Sequence, residues 1–178
     1  MKVIETEIPD IKILEIDVYP DDRGFFCETF QEKRYHENGV SDKFVQDNQS
    51  YSKRNVLRGL HFQKRHPQGK LIMAVVGEIF DVAVDIRMQS PTYGKWLGVT
   101  LSDKNHKQLY VPEGFAHGFC VISDYALVHY KCTDFFDSED MSGIKWNDQD
   151  IGIDWPTENP IVSPRDEQLP NFKEYNQS

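Results

Sequence analysis

Side chains able to carry chemistry are concentrated between residues 58 and 70. The segment 58–63 reads RGLHFQ, and Lys70 follows shortly after it. This stretch holds one imidazole (His61), two fixed cations (Arg58 and Lys70) and an amide (Gln63). In a β-strand, residues i and i+2 share a face, so His61 and Gln63 point to the same side. An imidazole beside fixed cations suits proton transfer next to an anionic substrate.

The same spacing comes close to a metal site. Metal-binding β-barrels often hold the ion between a His-x-His pair, a Glu shortly afterwards and a His on a later strand. Here Gln63 stands in place of the second His. No acidic residue follows at the expected position, and the nearest side chain of interest is the cation Lys70. Only His117 matches the pattern, as the His on the later strand. His66 precedes Pro67 in a polar loop and is expected to be solvated. One His from each of two strands is too few ligands for a firm site, so the sequence predicts no native metal.

The remaining residues can supply the parts of a proton transfer beside a carbonyl group. His61 is a natural general base near neutral pH, and Asp166 is a candidate for fixing its tautomer. Tyr130 can return a proton from the opposite face, while the ammonium of Lys70 can stabilise a developing enolate oxygen. Taken singly, each residue also has an ordinary structural explanation. Three arginines are suited to bidentate phosphate contacts: Arg23, Arg58 and Arg165.

Composition limits the classes of function. The 178 residues suit one globular domain spanning residues 1–178, and the formal net charge of −9 argues against nucleic-acid binding. No apolar run is long enough to span a membrane, and the charged N-terminus lacks the apolar segment of a signal peptide. An odd number of cysteines predicts reduced thiols at Cys27, Cys120 and Cys132. Together these features predict a cytoplasmic protein without membrane contacts.

Short strand-like segments recur with turn residues between them. The predicted strands cover residues 11–19, 25–30, 44–51, 56–62, 71–76, 79–86, 96–101, 108–111, 118–122 and 126–133. The break at Gly77 predicts a hairpin, and residues 31–38 predict a short helix closed by Gly39. This spacing indicates an all-β fold, a sandwich or barrel of the jelly-roll kind. The proline-rich stretch after Trp146 is expected to be an irregular arm packed against the barrel.

Taken together, these segments resemble the dTDP-4-dehydrorhamnose 3,5-epimerase family over nearly the whole chain. The matching segments are 22–28 (DRGFFCE), 44–50 (FVQDNQS), 56–63 (VLRGLHFQ), 68–71 (QGKL), 77–87 (GEIFDVAVDIR), 111–119 (VPEGFAHGF), 130–133 (YKCT) and 144–148 (IKWND). Such an ordered set is far more specific than any one segment. The resemblance implies a cupin-like jelly roll that needs no metal or other cofactor. It also implies a homodimer in which N-terminal strands are exchanged between subunits.

The resemblance assigns roles to matching residues. It implies that His61 accepts the proton and that Tyr130 donates one. Asp166 would pair with His61, and Lys70 would lie beside the C4 oxygen of the sugar. The substrate-binding residues it implies are Arg23, Glu28, Gln46, Asp47, Asn48, Arg58, Lys70, His117 and Arg165.

Two positions depart from the family pattern. Arg165 stands where members usually have Lys, which keeps the charge. Met141 and Ser142 stand where many members carry a Glu just before the glycine that matches Gly143. The nucleotide contact of that Glu is therefore not carried over to this chain.

The reaction implied is inversion at C3 and C5 of dTDP-4-dehydro-6-deoxy-D-glucose through enolate intermediates, giving dTDP-4-dehydro-L-rhamnose. Both carbons flank the ketone, which acidifies their C–H bonds. Four other functions remain open: an epimerase acting at one carbon only, a 3,4-ketoisomerase, a metal-dependent cupin oxygenase, and a non-catalytic sugar-binding jelly roll. Retention of Tyr130 disfavours the ketoisomerase.

Overall fold

A computed structural model describes residues 1–40 and 43–175. The strands are β1 (Lys2–Glu5), β2 (Lys12–Glu15), β3 (Val18–Asp21), β4 (Gly24–Cys27), β5 (Gln46–Lys53), β6 (Leu57–Gln63), β7 (Lys70–Val76), β8 (Glu78–Asp85), β9 (Trp96–Ser102), β10 (Lys107–Val111), β11 (Phe115–Val121), β12 (Tyr125–Cys132) and β13 (Met141–Gly143). The helices are α1 (Glu32–Glu37), α2 (Pro164–Glu167) and α3 (Phe172–Tyr175). Within the described residues, no helix is long and apolar enough to cross a bilayer.

Two antiparallel sheets form the jelly roll that the sequence predicts. One has the strand order β1-β2-β10-β7-β12-β5 and the other the order β13-β6-β11-β8-β9. From β5 to β8 the chain crosses between the sheets at each connection, and it does so again from β9 to β12. Among the described residues, strands β3 and β4 pair only with each other and form a ribbon separate from both sheets.

The hairpin predicted around Gly77 is wrong. Strand β7 lies between β10 and β12 in one sheet, while β8 lies between β11 and β9 in the other. Both edges of β7 are therefore hydrogen-bonded already, and no edge is free for β8. Gly77 instead forms a corner between the sheets, with φ of +78°. A Cβ atom there would lie 2.1 Å from the carbonyl oxygen of Tyr125, so the corner requires glycine.

Other element boundaries differ in smaller ways. The predicted strand over residues 11–19 is divided into β2 and β3, and the irregular arm contains the short helices α2 and α3. Strands β1 and β13 have no clear alternation of polar and apolar residues; their pairing with β2 and β6 defines them. The predicted helix is confirmed as α1. The Gln31 side chain caps it by accepting a hydrogen bond from the Arg34 amide, and Gly39 follows it with φ of +81°.

The inward-facing residues of several strands are apolar at one end of the strand and polar at the other. On β12, the inward residues Ala126 and Val128 belong to the hydrophobic core between the sheets, and Tyr130 comes next on the same face. On β7, Ile72 is part of that core, and Lys70, two residues earlier, lies on the same face. The packed half of the barrel thus fixes the position of the polar side chains in the other half.

Candidate active site

A cavity of about 620 Å³ opens between the two sheets, beside the hydrophobic core. This volume is typical of a site for a small molecule. Its walls come from strands β5, β6, β7, β11, β12 and β13 and from arm residues 161–166. Most of the predicted site residues line it, namely Gln46, Asn48, Arg58, His61, Lys70, His117, Tyr130, Arg165 and Asp166.

The pairing of His61 with Asp166 that the sequence predicts is present. The Nε2 atom of His61 lies 2.7 Å from Oδ1 of Asp166, and the backbone amide of Gly59 donates to Oδ2 of the same carboxylate at 3.3 Å. Asp166 lies on the one-turn helix α2, which begins with Ser163 as N-cap and Pro164 in its first turn. The hydrogen bonds of Asp166 with His61 and Gly59 hold this part of the C-terminal arm against β6.

The charge state of Asp166 determines which nitrogen of His61 is basic. Burial raises the pKa of this carboxyl, but the hydrogen bonds from His61, Gly59 and Ser163 outweigh burial, and the pKa is lowered. An ionised carboxylate can only accept hydrogen bonds, so Nε2 of His61 is the donor. Nδ1 then carries the lone pair and is free to accept a proton. His61 is partly accessible, with 26% of its side chain exposed to the cavity.

Lys70 is a buried cation. The residue is 9% exposed, and within residues 1–40 and 43–175 no acceptor lies within hydrogen-bonding distance of its ammonium. Burial lowers the pKa of Lys70, opposed by the nearby Cys132 and Asp81. Cys132 lies directly across the β7–β12 ladder from it. A buried ammonium without a partner is costly, and an oxygen that becomes negative in the cavity would relieve that cost.

Tyr130 and His61 line the cavity from opposite sides. Tyr130 is on β12 in the six-stranded sheet, and His61 is on β6 in the five-stranded sheet. Burial raises the pKa of Tyr130, with Cys132 adding to the rise and Arg58 opposing it. The phenol therefore remains protonated at neutral pH and can act as a proton donor.

His117 forms a second imidazole–carboxylate pair. It lies opposite His61 in the β6–β11 ladder, and its Nε2 is 3.0 and 3.1 Å from the two oxygens of the fully buried Asp81. Each of the two imidazoles is thus bound to its own carboxylate. Across the described ranges, no three His, Cys, Asp or Glu side chains are grouped as metal ligands would be.

Three predicted substrate-binding residues do not line this cavity. Arg23 lies on the β3–β4 ribbon with 90% of its side chain exposed, and its Nε donates to Asp21 at 3.1 Å. Glu28 lies 2.9 Å from Arg34, also away from the cavity. These substrate contacts stay predictions.

Asp47 is the third. It faces outward because the residues of β5 alternate, and it accepts a hydrogen bond from Lys131 at 2.8 Å.

Sequence reasoning missed several residues around the cavity. Asp81 is an acidic residue between the apolar inward residues Ile79 and Ala83, which is a signal for a buried partner. The sequence predicts Cys132 only as a reduced thiol, but Cys132 also lines the cavity. Phe136 and Met141 line the cavity from the segment between β12 and the end of β13, where no periodic pattern points to them.

Comparison with known proteins gives one consistent result. A sequence model of the family described as dTDP-4-dehydrorhamnose 3,5-epimerase matches residues 5–174. The chain is 52% identical over 176 residues to the dTDP-4-dehydrorhamnose 3,5-epimerase of Methanothermobacter thermautotrophicus, covering 97% of this chain and 95% of that protein. It is 42% identical over 149 residues to the dTDP-4-dehydrorhamnose 3-epimerase of Streptomyces niveus, covering 83% and 72%.

The structural comparison agrees. A crystal structure of the dTDP-6-deoxy-D-glucose-3,5-epimerase of Legionella pneumophila Philadelphia 1, in complex with dTDP-4-keto-L-rhamnose, matches with a TM-score of 0.94. The two sequences are 49% identical, and the match covers 97% of this chain and 93% of the other.

Proposed function

Because the chain belongs to the dTDP-4-dehydrorhamnose 3,5-epimerase family, we propose that it inverts C3 and C5 of a thymidine-diphosphate-linked 4-keto-6-deoxy sugar. The enzyme is an isomerase acting on carbohydrates. The observation that carries this proposal is the His61–Asp166 pair on one wall of the cavity with Tyr130 on the other.

The reaction needs a base, an acid and a place for negative charge. Nδ1 of His61 takes the proton from the carbon next to the ketone, and the C–H electron pair moves to form the enolate. The resulting imidazolium is stabilised by the Asp166 carboxylate. Lys70 lies beside the C4 oxygen and stabilises its developing charge. The ketone is the electron sink in this scheme.

Inversion follows from the position of the acid. Tyr130 protonates the enolate carbon from the face opposite His61, which reverses the configuration. The same arrangement serves C3 and C5, because both carbons flank the carbonyl. Reorientation of the sugar between the two steps presents each carbon to His61 in turn.

The diphosphate is bound by cations at the cavity. Arg58 lies at the cavity wall, where its Nε donates to Ser52 at 3.0 Å, so its terminal nitrogens are available for phosphate oxygens. Arg165, one residue before Asp166, adds a second guanidinium. Binding energy from this remote group positions the sugar for proton transfer. His117, Gln46 and Asn48 also line the cavity, and we assign them contacts with the substrate.

Product analysis tests the proposed function. The purified protein is incubated with dTDP-4-dehydro-6-deoxy-D-glucose in heavy water, and the sugar is examined by NMR. The proposal requires the dTDP-4-dehydro-L-rhamnose configuration with deuterium at C3 and C5. The identity to the Streptomyces niveus 3-epimerase favours a second candidate, inversion at one carbon, which would label only that carbon. Absence of any labelling would refute both.

We further propose that the protein acts as a homodimer in which each β3–β4 ribbon completes the site of the other subunit. The ribbon carries Arg23, pairs with neither sheet, and exposes the rings of Tyr19, Phe25 and Phe26. Large exposed apolar side chains in one place favour burial against another surface. Arg23 and Glu28 then bind substrate in the partner's cavity.

Mixing two inactive variants tests the shared site. Arg23→Ala and His61→Ala subunits are unfolded together and refolded. If the ribbon acts in the partner's cavity, about a quarter of the sites regain full activity, because half of the random dimers are mixed and each holds one intact site. If Arg23 acts within its own chain, no site is intact and the mixture stays inactive.

We also propose a cytoplasmic location. Cys27, Cys120 and Cys132 are all unpaired, which suits a reducing compartment. Fractionation of cells that produce the protein, with a cytoplasmic and a secreted marker enzyme, checks this.

A further inference from the structure

The segment 134–137, here named the rim segment, borders the cavity just after β12. Its sequence is DFFD, and Phe136 lines the cavity while leaving 53% of its surface exposed. Neither Phe135 nor Phe136 belongs to the hydrophobic core. Hydrogen bonds from side chains hold the backbone of the rim segment, from which the Phe136 ring projects.

Gln63 makes two of those bonds and a third to the neighbouring loop. Its Nε2 donates to the carbonyl oxygen of Phe135 at 3.2 Å and to that of His66 at 2.7 Å. Its Oε1 accepts from the amide of Asp137 at 2.9 Å. Both donor hydrogens and one acceptor site of the amide are thus used, and the residue is only 5% exposed.

Two more glutamines at the cavity support the same segment. Oε1 of Gln46 accepts from the amide of Phe136 at 2.9 Å, and Nε2 of Gln68 donates to the carbonyl oxygen of Asp134 at 2.8 Å. The rim segment is therefore fixed to β5, to β6 and to the loop before β7 by side-chain amides. Gln63 differs from the other two because it is buried and bonds the segment on both sides of Phe136.

The location of Gln63 gives these bonds a consequence for the site. Gln63 lies two residues after His61 on β6, so the base and the anchor of the rim share one rigid strand. A metal-binding barrel would carry a ligand at this position, whereas here the side chain bonds the rim segment and the carbonyl oxygen of His66. Strand β6 therefore carries both the base and one of the anchors of the rim segment.

We propose that Gln63 is a positioning residue, which holds Phe136 at the rim so that the ring contacts the part of the substrate remote from the reacting carbons. The inference rests on the proposed function, because it assigns the sugar to His61 and the remainder of the substrate to the rim. Gln63 itself touches no reacting atom. Its loss weakens substrate binding and leaves the proton-transfer step intact.

A double-mutant cycle tests this mechanism. Gln63→Met keeps the volume of the side chain and removes all three hydrogen bonds, and Phe136→Ala removes the ring. We expect each single variant to raise KM about tenfold with kcat changed less than about twofold, since a contact shared by ground and transition states affects KM alone. In the Phe136→Ala background, Gln63→Met should add less than about a further twofold to KM. Gln149→Met, at an exposed turn, is the control and should match the wild type.

Equal KM for Gln63→Met and wild type, a fall in kcat as large as the rise in KM, or multiplicative effects in the double variant would each overturn the proposal. If Gln63→Met does not fold, Gln63→Asn serves as the second variant. Its side chain keeps the amide but is one methylene shorter, so the amide no longer reaches the rim segment. We expect the same rise in KM with little change in kcat. A wild-type protein that exchanges no substrate hydrogen would instead refute the proposed function, while an active wild type with an unaffected Gln63→Met refutes only the role of Gln63.

Discussion

Nε2 of His61 lies 2.7 Å from Oδ1 of Asp166, although 105 residues separate the two in the chain. The strand β6 and the terminal arm are thus joined at the point where the reaction is proposed to occur. The carboxylate fixes the proton on Nε2, which leaves the lone pair on Nδ1.

Asp166→Asn should impair catalysis without preventing binding. The amide removes the negative charge that stabilises the imidazolium and no longer enforces the tautomer with a basic Nδ1. We expect kcat to fall about 100- to 1,000-fold with KM changed less than about threefold. Steady-state kinetics measure both constants, and Asp154→Asn, an exposed carboxylate, is the matched control. Wild-type kcat in Asp166→Asn would show that His61 works without this partner.

Tyr130→Phe should separate proton removal from inversion. The base is intact in this variant, so exchange of substrate hydrogen with solvent continues, but protonation from the opposite face is lost. We expect inversion, most of all at C5, to slow about 100-fold while exchange is retained. NMR in heavy water distinguishes labelled substrate from labelled product. Tyr125→Phe, with an exposed ring, controls for loss of a hydroxyl. Full inversion in Tyr130→Phe would transfer the donor role to another group.

Lys70→Met should stabilise the fold while impairing the enzyme. Burial lowers the pKa of Lys70, so the charged form opposes folding, and an apolar side chain of similar length removes that cost. We expect a gain of about 1 kcal/mol or more in the free energy of unfolding at neutral pH, or roughly 2–4 °C in Tm, together with a large fall in kcat. Lys104→Met, an exposed substitution, should change neither.

The pH dependence gives an independent check on Lys70. Its folded pKa is lowered, so between that pKa and the ordinary pKa of lysine the unfolded chain binds more protons, and the stability of the wild type rises with pH. The advantage of Lys70→Met should therefore shrink as pH rises through that window, while wild-type kcat falls over the same range as the ammonium is lost. A stability difference that stays constant with pH would contradict a buried charge.

Asp85→Asn should destabilise the barrel at neutral pH. Burial raises the pKa of the Asp85 carboxyl, but hydrogen bonds from Arg87, Ser90 and Thr92 outweigh it, and the pKa is lowered. Loss of the charge should cost about 2 kcal/mol or more in the free energy of unfolding. Because the folded pKa is depressed, the contribution is present above the ordinary aspartate pKa and is lost as pH falls through the folded one. Denaturant unfolding at several pH values, with exposed Asp22→Asn as control, measures this.

The sequence predicted which residues line the cavity better than it predicted the connections between strands. Alternation along the strands places His61 and Tyr130 on inward faces, whereas the sequence predicted only an irregular arm where the short helix α2 carries Asp166. The corner at Gly77 was not predictable from local pattern, because a β-strand, a glycine and another strand look the same whether the strands pair or pass into different sheets. Two of the three bonds of Gln63, those to Phe135 and Asp137, also join residues distant in sequence, so no spacing rule could indicate them.

We propose that the imidazole of His61 removes the protons from both carbons beside the ketone. Time-resolved NMR of dTDP-4-dehydro-6-deoxy-D-glucose in heavy water, with the wild type and His61→Ala, measures this proton removal. We expect deuterium at C3 and C5 with the wild type and at neither carbon with folded His61→Ala. Deuterium entering either carbon in His61→Ala at the wild-type rate would contradict this proposal.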